Sequence, residues 1–479
     1  MSFSASHTGI KMTPELTRVW LSDKTFRQQT DVYQAAHPNW PGAVGLEIEM
    51  LPLVIGDDAV PKLVPLQGEY GSLAGWLREI ACGQKWETQE LHEDGHALLM
   101  TVLLNQGDNL SFEPGGQLEF SSRPYGCLTE AISRTIEVQK ILDRELKRLG
   151  DITLTQIGLN PWHSVEQIGL QMTKPRYRAM NEYFSAISEY GPRMMRQTCT
   201  VQVNLDFGRT ERDMAKRYLA SQLIAPFTGA VFNYSGVSSG KPVGMTGLRS
   251  KIWRHMDPTR TGVLQLDRVY KNLTKEACVD SYYDFVMNAR VVFVQDLDYR
   301  VIRDKLTWAD WMKNGVDGVY PTDFAFETHM SLLFPEVRAR GFLELRSVDC
   351  QARVWQFVPA AWWAGLLYDS TSCDMVIDLL YPLASKMTEL LDAAPFGLTN
   401  PILNEYSKKL LRLAVDGLSR LPSCYFEDGS LRTLEKFGEH FISRGRVPAQ
   451  DILDEVTESG FHKPSTYRRV EERWNKIVL

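Results

Sequence analysis

The stretch VGLEIEMLPLV (44–54) decides the fold. Apolar and acidic residues alternate through Leu46, Glu47, Ile48, Glu49 and Met50, which is the period of a strand with one apolar face. Residues two apart on a strand point to the same side, so Glu47 and Glu49 stand next to each other. Two carboxylates on an otherwise apolar strand repel and are poorly solvated, and a bound cation answers both problems. An E-x-E pair alone is more often the polar edge of an amphipathic strand. Its surroundings decide for chemistry.

Outward from it, LLMTVLL (98–104) and LSFEPGGQLEFSSRP (110–124) read as two more strands, the second broken at Pro114-Gly115-Gly116. Glu113 and Glu119 flank that turn, whose glycines would let backbone come close to a ligand. A long amphipathic helix over 128–150 ends at Gly150, expected as its C-cap, and a strand follows over 152–162. RQTCTVQVNLDF (196–207) alternates, with Thr198, Thr200, Gln202, Asn204 and Asp206 on one face. A helix over 211–232 precedes a last charged strand, GFLELRSVD (341–349), holding Glu344 and Arg346.

Glu47, Glu49, Glu113, Glu119 and Glu344 thus offer strand-borne carboxylates, hard oxygen ligands suited to Mg²⁺ or Mn²⁺ bridging the phosphates of ATP. Arg196, Arg249, Arg260 and Arg346 lie in sharply patterned segments. Arginine grips carboxylate or phosphate bidentately, and ATP-driven amide formation needs positive charge to hold the acid and to stabilise the transferring phosphoryl group. A glycoside-cleaving pair is the competing use of clustered glutamates, but it does not call for these arginines. His255 and His329 are read as hydrogen-bonded structural residues, Cys199 and Cys350 as packing residues, and Trp362 and Trp363 as core.

The chain has 479 residues, 44% hydrophobic and 23% charged, with a net charge of −6. That composition is ordinary for a globular enzyme and gives no general attraction to nucleic acid or anionic membrane. Neither G-x-x-x-x-G-K-[ST] nor G-x-G-x-x-G occurs. FVPAAWWAGLLY (357–368) is too short to span a membrane and reads as a buried helix. Seven scattered cysteines and an opening without a secretory pattern lead to a cytoplasmic expectation. Long helices with antiparallel strands predict an α+β fold. Its expected parts are an N-terminal helical cap (1–40, with Thr13 as N-cap before Pro14), a catalytic domain (41–370) and a C-terminal helical region (371–479) packed on it.

These segments, in this order, resemble glutamate–cysteine ligases of the plant and proteobacterial type. The resemblance rests on FEPGGQLEFSSRP, RQTCTVQVNLDF, LRSKIWRHMDPTRTG, Glu327-Thr328-His329 with LLFPEVRARGFLELR, and PAAWWAGLLYD. It implies the glutamine-synthetase-like fold, a curved antiparallel sheet with flanking helices, and activation of glutamate by ATP as γ-glutamyl phosphate. It implies Glu47, Glu49, Glu113, Glu119 and Glu344 as metal ligands. Arg196, Arg249, Thr200 and Gln202 would bind substrate, Asn204, Arg260 and Arg346 would bind nucleotide, and Arg346, Arg249 and Glu327 would act in catalysis. Expected partners are L-glutamate, ATP and an amine such as L-cysteine, with no nucleic acid or membrane, in a monomer or homodimer. Ser347-Val348-Asp349-Cys350 stands where the family usually has Gly-Ala-Asp-Gly, and the family's usual Asp-Trp is absent before Glu327. The plant regulatory cysteine is replaced by Ile132. Two alternatives stay open: a γ-glutamyl ligase with another amine acceptor, and a catalytically silent binding protein.

Overall fold

The computed structural model describes residues 9–28, 40–56, 60–68, 71–93, 96–459 and 463–478. Its main sheet has ten strands: β1 (Val44–Val54), β2 (Lys62–Leu63), β3 (Glu87–Glu93), β4 (His96–Leu103), β5 (Asn109–Phe112), β6 (Leu118–Ser121), β7 (Ile152–Thr155), β8 (Val201–Leu205), β9 (Val337–Ala339) and β10 (Leu343–Leu345). The path runs β9-β10-β8-β1-β6-β5-β4-β3, with β2 and β7 paired to the far half of β1. Every pairing is antiparallel, as the α+β expectation requires.

Register places the chemistry. Glu49 faces Glu119 and Glu47 faces Ser121 across the β1–β6 ladder. On its other side Glu47 meets Gln202, and farther out Glu344 meets Asn204 and Arg338. Directly opposed residues share a face, so the polar positions of five strands gather on one side. Leu46, Ile48, Phe120, Val203 and Leu345 fill the other, almost wholly buried. A slip of one residue would invert every one of these positions, and burial of the apolar set fixes the register against it.

Helices cover the apolar side. Val358–Leu367 is buried at all ten positions, Trp362 and Trp363 included, and most of Glu211–Val231 is buried too. One core cluster extends from Met12 to Trp474, so the helices beyond residue 371 share it with the sheet. At the other end Thr13 accepts from the Leu16 N–H and Pro14 opens helix Pro14–Trp20. The remainder of the predicted cap falls partly outside the described residues.

Four elements differ from their sequence reading, among them the strand over 341–349, which keeps only Leu343–Leu345. The helix over 128–150 ends on Asp151 in the left-handed region (φ 54°), whereas Gly150 is glycine because an added Cβ would lie 2.7 Å from the Trp76 indole. Strand 152–162 stops at Thr155. Arg196 and Gln197 belong to helix Tyr190–Gln197, and only Val201–Leu205 of the alternating segment is strand.

Candidate active site

On the polar side of the sheet, one carboxylate oxygen from each of Glu49, Glu113 and Glu119 lies within 4.8 Å of the others. Hydrogen bonds hold the carboxylates of Glu119, Glu49 and the neighbouring Glu47, and backbone bonds hold Glu113. The Ser111 and Ser121 hydroxyls donate to Glu119 Oε1, both at 3.0 Å. The Thr200 N–H donates to Glu49 Oε2 at 2.9 Å, and Asn204 Nδ2 donates to Glu47 Oε1 at 2.8 Å. Glu113 opens the turn: its N–H donates to the Gln117 carbonyl, its own carbonyl accepts from Gly116 N–H, and Gly116 sits at φ 84°. Gly115 serves a different end from the ligand approach expected of it. A Cβ there would come 2.3 Å from the Arg196 carbonyl oxygen, so the turn packs directly on the end of helix Tyr190–Gln197.

Crowding of like charge shows in the acidities. Burial, then the charge of Glu119, pushes Glu49 up to about 8, and burial with Glu49 does the same to Glu113. Glu47 and Glu119 rise to about 7, again through burial first and neighbouring carboxylates second. Four acids that resist losing their protons, lined up on oxygen donors without histidine or cysteine, fit a hard divalent cation such as Mg²⁺ or Mn²⁺.

Glu344 does not join them. Arg338 grips it bidentately, Nη2 to Oε1 at 2.9 Å, while Arg340 and Arg346 add bonds of 3.0 and 3.1 Å. Burial opposes its ionisation, but Arg338 and Arg346 hold it well below the usual carboxylate range. With both oxygens engaged, Glu344 anchors the arginines, contrary to the expectation that it is a metal ligand. Arg346 also donates to Gln202 Oε1 at 2.7 Å, which ties the arginine cluster to the strand beside Glu47.

Other expected residues are placed as follows. Arg249 is buried, its Nη2 donating to the Arg346 carbonyl at 3.0 Å and its Nη1 3.7 Å from Asp349, and its charge favours ionised Glu49. Arg196 is half-buried and donates to Asn181 and the Val165 carbonyl. Thr200 spends its hydroxyl on the Val348 carbonyl at 2.7 Å and meets the site through its N–H, so its part is to hold Glu49 rather than substrate. Asn204 likewise serves Glu47 rather than a nucleotide. Arg260 is a structural residue: fully buried, it is tied to Asp257 and to the carbonyls of Leu332 and Arg290. Glu327 is exposed and lines a cleft of about 460 Å³ with Lys24, Arg338 and Arg340. None of the four clustered carboxylates lines that cleft, though Arg338 and Arg340 on its wall reach Glu344. His329 stacks on Trp308 with Nε2 3.2 Å from the Val286 carbonyl, and burial drives it down to about 3, leaving it neutral. Ser347, Val348, Asp349 and Cys350 are all buried, so their bulk goes into the core.

Sequence reasoning missed Arg338, Arg340, Arg176 and Tyr177. The first two were legible, because PEVRARGFLELR alternates charged and apolar residues on both sides of Gly341. Arg176 and Tyr177 come from the start of helix Pro175–Ile187. Burial, then the charge of Glu113, raises Tyr177 to about 12, and Arg176 donates to Ser331 Oγ at 2.8 Å. No strand pattern announces residues delivered by a helix end.

Residues 44–472 match the model of glutamate–cysteine ligase family 2. The chain belongs to that family. It is accordingly a ligase. Curated members of the family include the chloroplastic glutamate–cysteine ligase of Arabidopsis thaliana, 31% identical over 402 residues that cover 81% of this chain and 72% of the relative. Glutamate–cysteine ligase B of Oryza sativa subsp. japonica is 32% identical over 395 residues, 79% of this chain and 75% of the relative. A solved glutamate–cysteine ligase from Francisella tularensis, crystallised with AMP, superposes with a TM-score of 0.51 over 91% of both chains at 13% identity. That likeness bears on the fold alone, and it agrees with the mixed helical and antiparallel-sheet architecture of this family member.

Proposed function

We propose that this ligase joins the side-chain carboxylate of L-glutamate to the amino group of L-cysteine, cleaving ATP to ADP and phosphate through γ-glutamyl phosphate. The observation that carries the reading is the convergence of Glu49, Glu113 and Glu119 within 4.8 Å, beside arginines collected by Glu344. A divalent ion held by the three carboxylates would offset charge on the nucleotide's phosphates. Arg346, fixed between Gln202 and Glu344, is positioned to meet phosphoryl oxygens, and buried Arg249 supplies the positive charge a second anion needs. The serine, threonine and asparagine bonds hold the carboxylates in place before substrate arrives, so little reorganisation accompanies reaction. The surrounding protein limits access of water, which would hydrolyse an acyl phosphate. The seven cysteines are free thiols, which supports a reducing compartment, and we propose the cytoplasm.

The test is phosphate release by the purified chain with ATP, Mg²⁺, glutamate and a panel of amines. Release that needs both glutamate and an amine, fastest with cysteine, is expected. A different amine turning over best would replace cysteine as acceptor. No release with any amine would end the ligase reading of the site.

A further inference from the structure

Arg176 stands near the clustered carboxylates with no charge set against its own. It is half-buried at the start of helix Pro175–Ile187. Its guanidinium makes one hydrogen bond, to Ser331 Oγ at 2.8 Å, and no ion pair among the described residues. The arginines around it differ: Arg338, Arg340 and Arg346 all reach Glu344, and Arg249 lies 3.7 Å from Asp349. A cation drawn out of water without a partner is costly. An anion delivered by a ligand removes that cost, and a guanidinium is shaped to take one.

Bonds on two sides fix where Arg176 sits. On one side, the chain just before the helix is fastened to the turn that carries Glu113. Gln171 N–H donates to the Pro114 carbonyl at 2.8 Å, and a Cβ on Gly116 would lie 3.4 Å from Gln171 Cγ. On the other side, Ser331 joins Arg176 to Arg338, whose Nη1 donates to the Ser331 carbonyl at 3.3 Å. Arg338 grips Glu344, which also holds Arg346. Arg176 is thereby bracketed between the Glu113 turn and the arginines gathered by Glu344. Burial governs the ionisation of Arg176 and of Glu113 first, and each also favours the charged form of the other. Ser331 and Arg338 line the cleft of about 460 Å³. Lys24 and Arg340 face Asp323 and Glu327 among its walls, so the unanswered charge belongs to Arg176 rather than to the cleft as a whole.

We infer that Arg176 binds phosphate, meeting an oxygen of the ATP that a metal ion at Glu49, Glu113 and Glu119 would hold. The inference rests on the ligase reading and adds to it a residue from outside the sheet. A guanidinium also suits a carboxylate. Phosphate is favoured because Ser331 ties Arg176 to the arginines that include Arg346, whereas Arg249, the residue given to the second anion, approaches Arg346 from the Asp349 side.

Calorimetric titration of the full chain with the β,γ-imido analogue of ATP and Mg²⁺ reads this contact without chemistry. Arg176→Gln keeps an N–H for Ser331 and should weaken the analogue about tenfold or more, the size of one charge-assisted hydrogen bond. Arg176→Lys should recover part of that loss, because a point charge replaces the fork. In turnover the KM for ATP should rise in the same proportion, with the KM for glutamate and for the amine as in the parent. Parent-like affinity in both variants, or in the one that folds if the other does not, overturns the inference. So does a raised KM for glutamate or the amine with analogue binding intact, which would give Arg176 to a substrate carboxylate. Phosphate release by the parent tests the ligase reading separately. If release is absent while the analogue still binds through Arg176, that reading fails and the contact stands; if release is present and the variants match the parent, the contact alone fails.

Discussion

Glu119 sits where two demands meet: it takes hydroxyl hydrogen bonds from Ser111 and Ser121, and it shares the cluster with Glu49 and Glu113. Glu119→Gln keeps the shape and an oxygen for the two hydroxyls but removes the charge. Ligation should fall by about a hundredfold or more, since loss of even an outer partner of a metal site costs 10–100-fold, and Mg²⁺ dependence should shift to higher concentration. The melting temperature in the absence of metal should hold or rise, because a repelling charge has gone. Unchanged Mg²⁺ dependence would remove Glu119 from the metal site. Arg338 makes the opposite case. It is bidentate to buried Glu344 and also donates to the carbonyls of Ser331 and Leu333. Breaking a buried ion pair from one side costs about 3–5 kcal/mol, and the bonds from Arg340 and Arg346 place Arg338→Met at the lower end. Urea denaturation should show that loss. A midpoint equal to the parent's would mean that Glu344 is satisfied without it.

The turn Pro114-Gly115-Gly116 couples two elements, since it sets Glu113 and Glu119 and packs on the backbone of Arg196 at the end of helix Tyr190–Gln197. Gly115→Ala forces turn and helix apart, an overpacking expected to cost about 1–3 kcal/mol and to move Glu113 out of the cluster. Activity should fall more than stability. Equal activity in the alanine variant would show that the turn yields without disturbing the glutamates. This close approach has no sequence signature beyond the glycine itself, so the Gly-Gly pair reads equally well as room for a ligand. Alternation, by contrast, was readable wherever one face of a strand is buried: β1, β6 and β10 stood in the sequence with their glutamates on the correct side. It misled over 196–207, where a helix end and two irregular bridges at Thr198 and Thr200 precede the ladder. ETQELHE of β3 carries no such alternation, because it is polar on both faces.

Across the molecule, sequence separates the four clustered acids by as much as 72 positions from Glu47 to Glu119, and their convergence follows from strand order together with the turn that carries Glu113. The chain's modest net charge of −6 conceals this local concentration. Its consequence is a linkage between pH, metal and stability. Glu47 and Glu119 keep their protons to about pH 7 in the folded protein and Glu49 and Glu113 to about 8, against 4.5 for the ordinary group. Folded carboxyls that hold protons longer than unfolded ones lower stability as pH rises. The metal-free enzyme should therefore lose stability progressively between about pH 4.5 and 8, with no further loss from this cluster above that. Glu344, held low by its arginines, contributes in the other sense, and its support disappears only in acid, below the ordinary carboxyl range. Mg²⁺ bound at the cluster, as proposed, would replace the protons, so its affinity should climb through pH 7 to 8 and each binding event should release protons. Titrations in two buffers of different ionisation enthalpy measure that release, and melting curves across the same range with and without Mg²⁺ should separate most widely at the alkaline end. Mg²⁺ binding that is flat with pH and releases no protons would show that the cation is held elsewhere, and with it would go the role given to Glu49, Glu113 and Glu119.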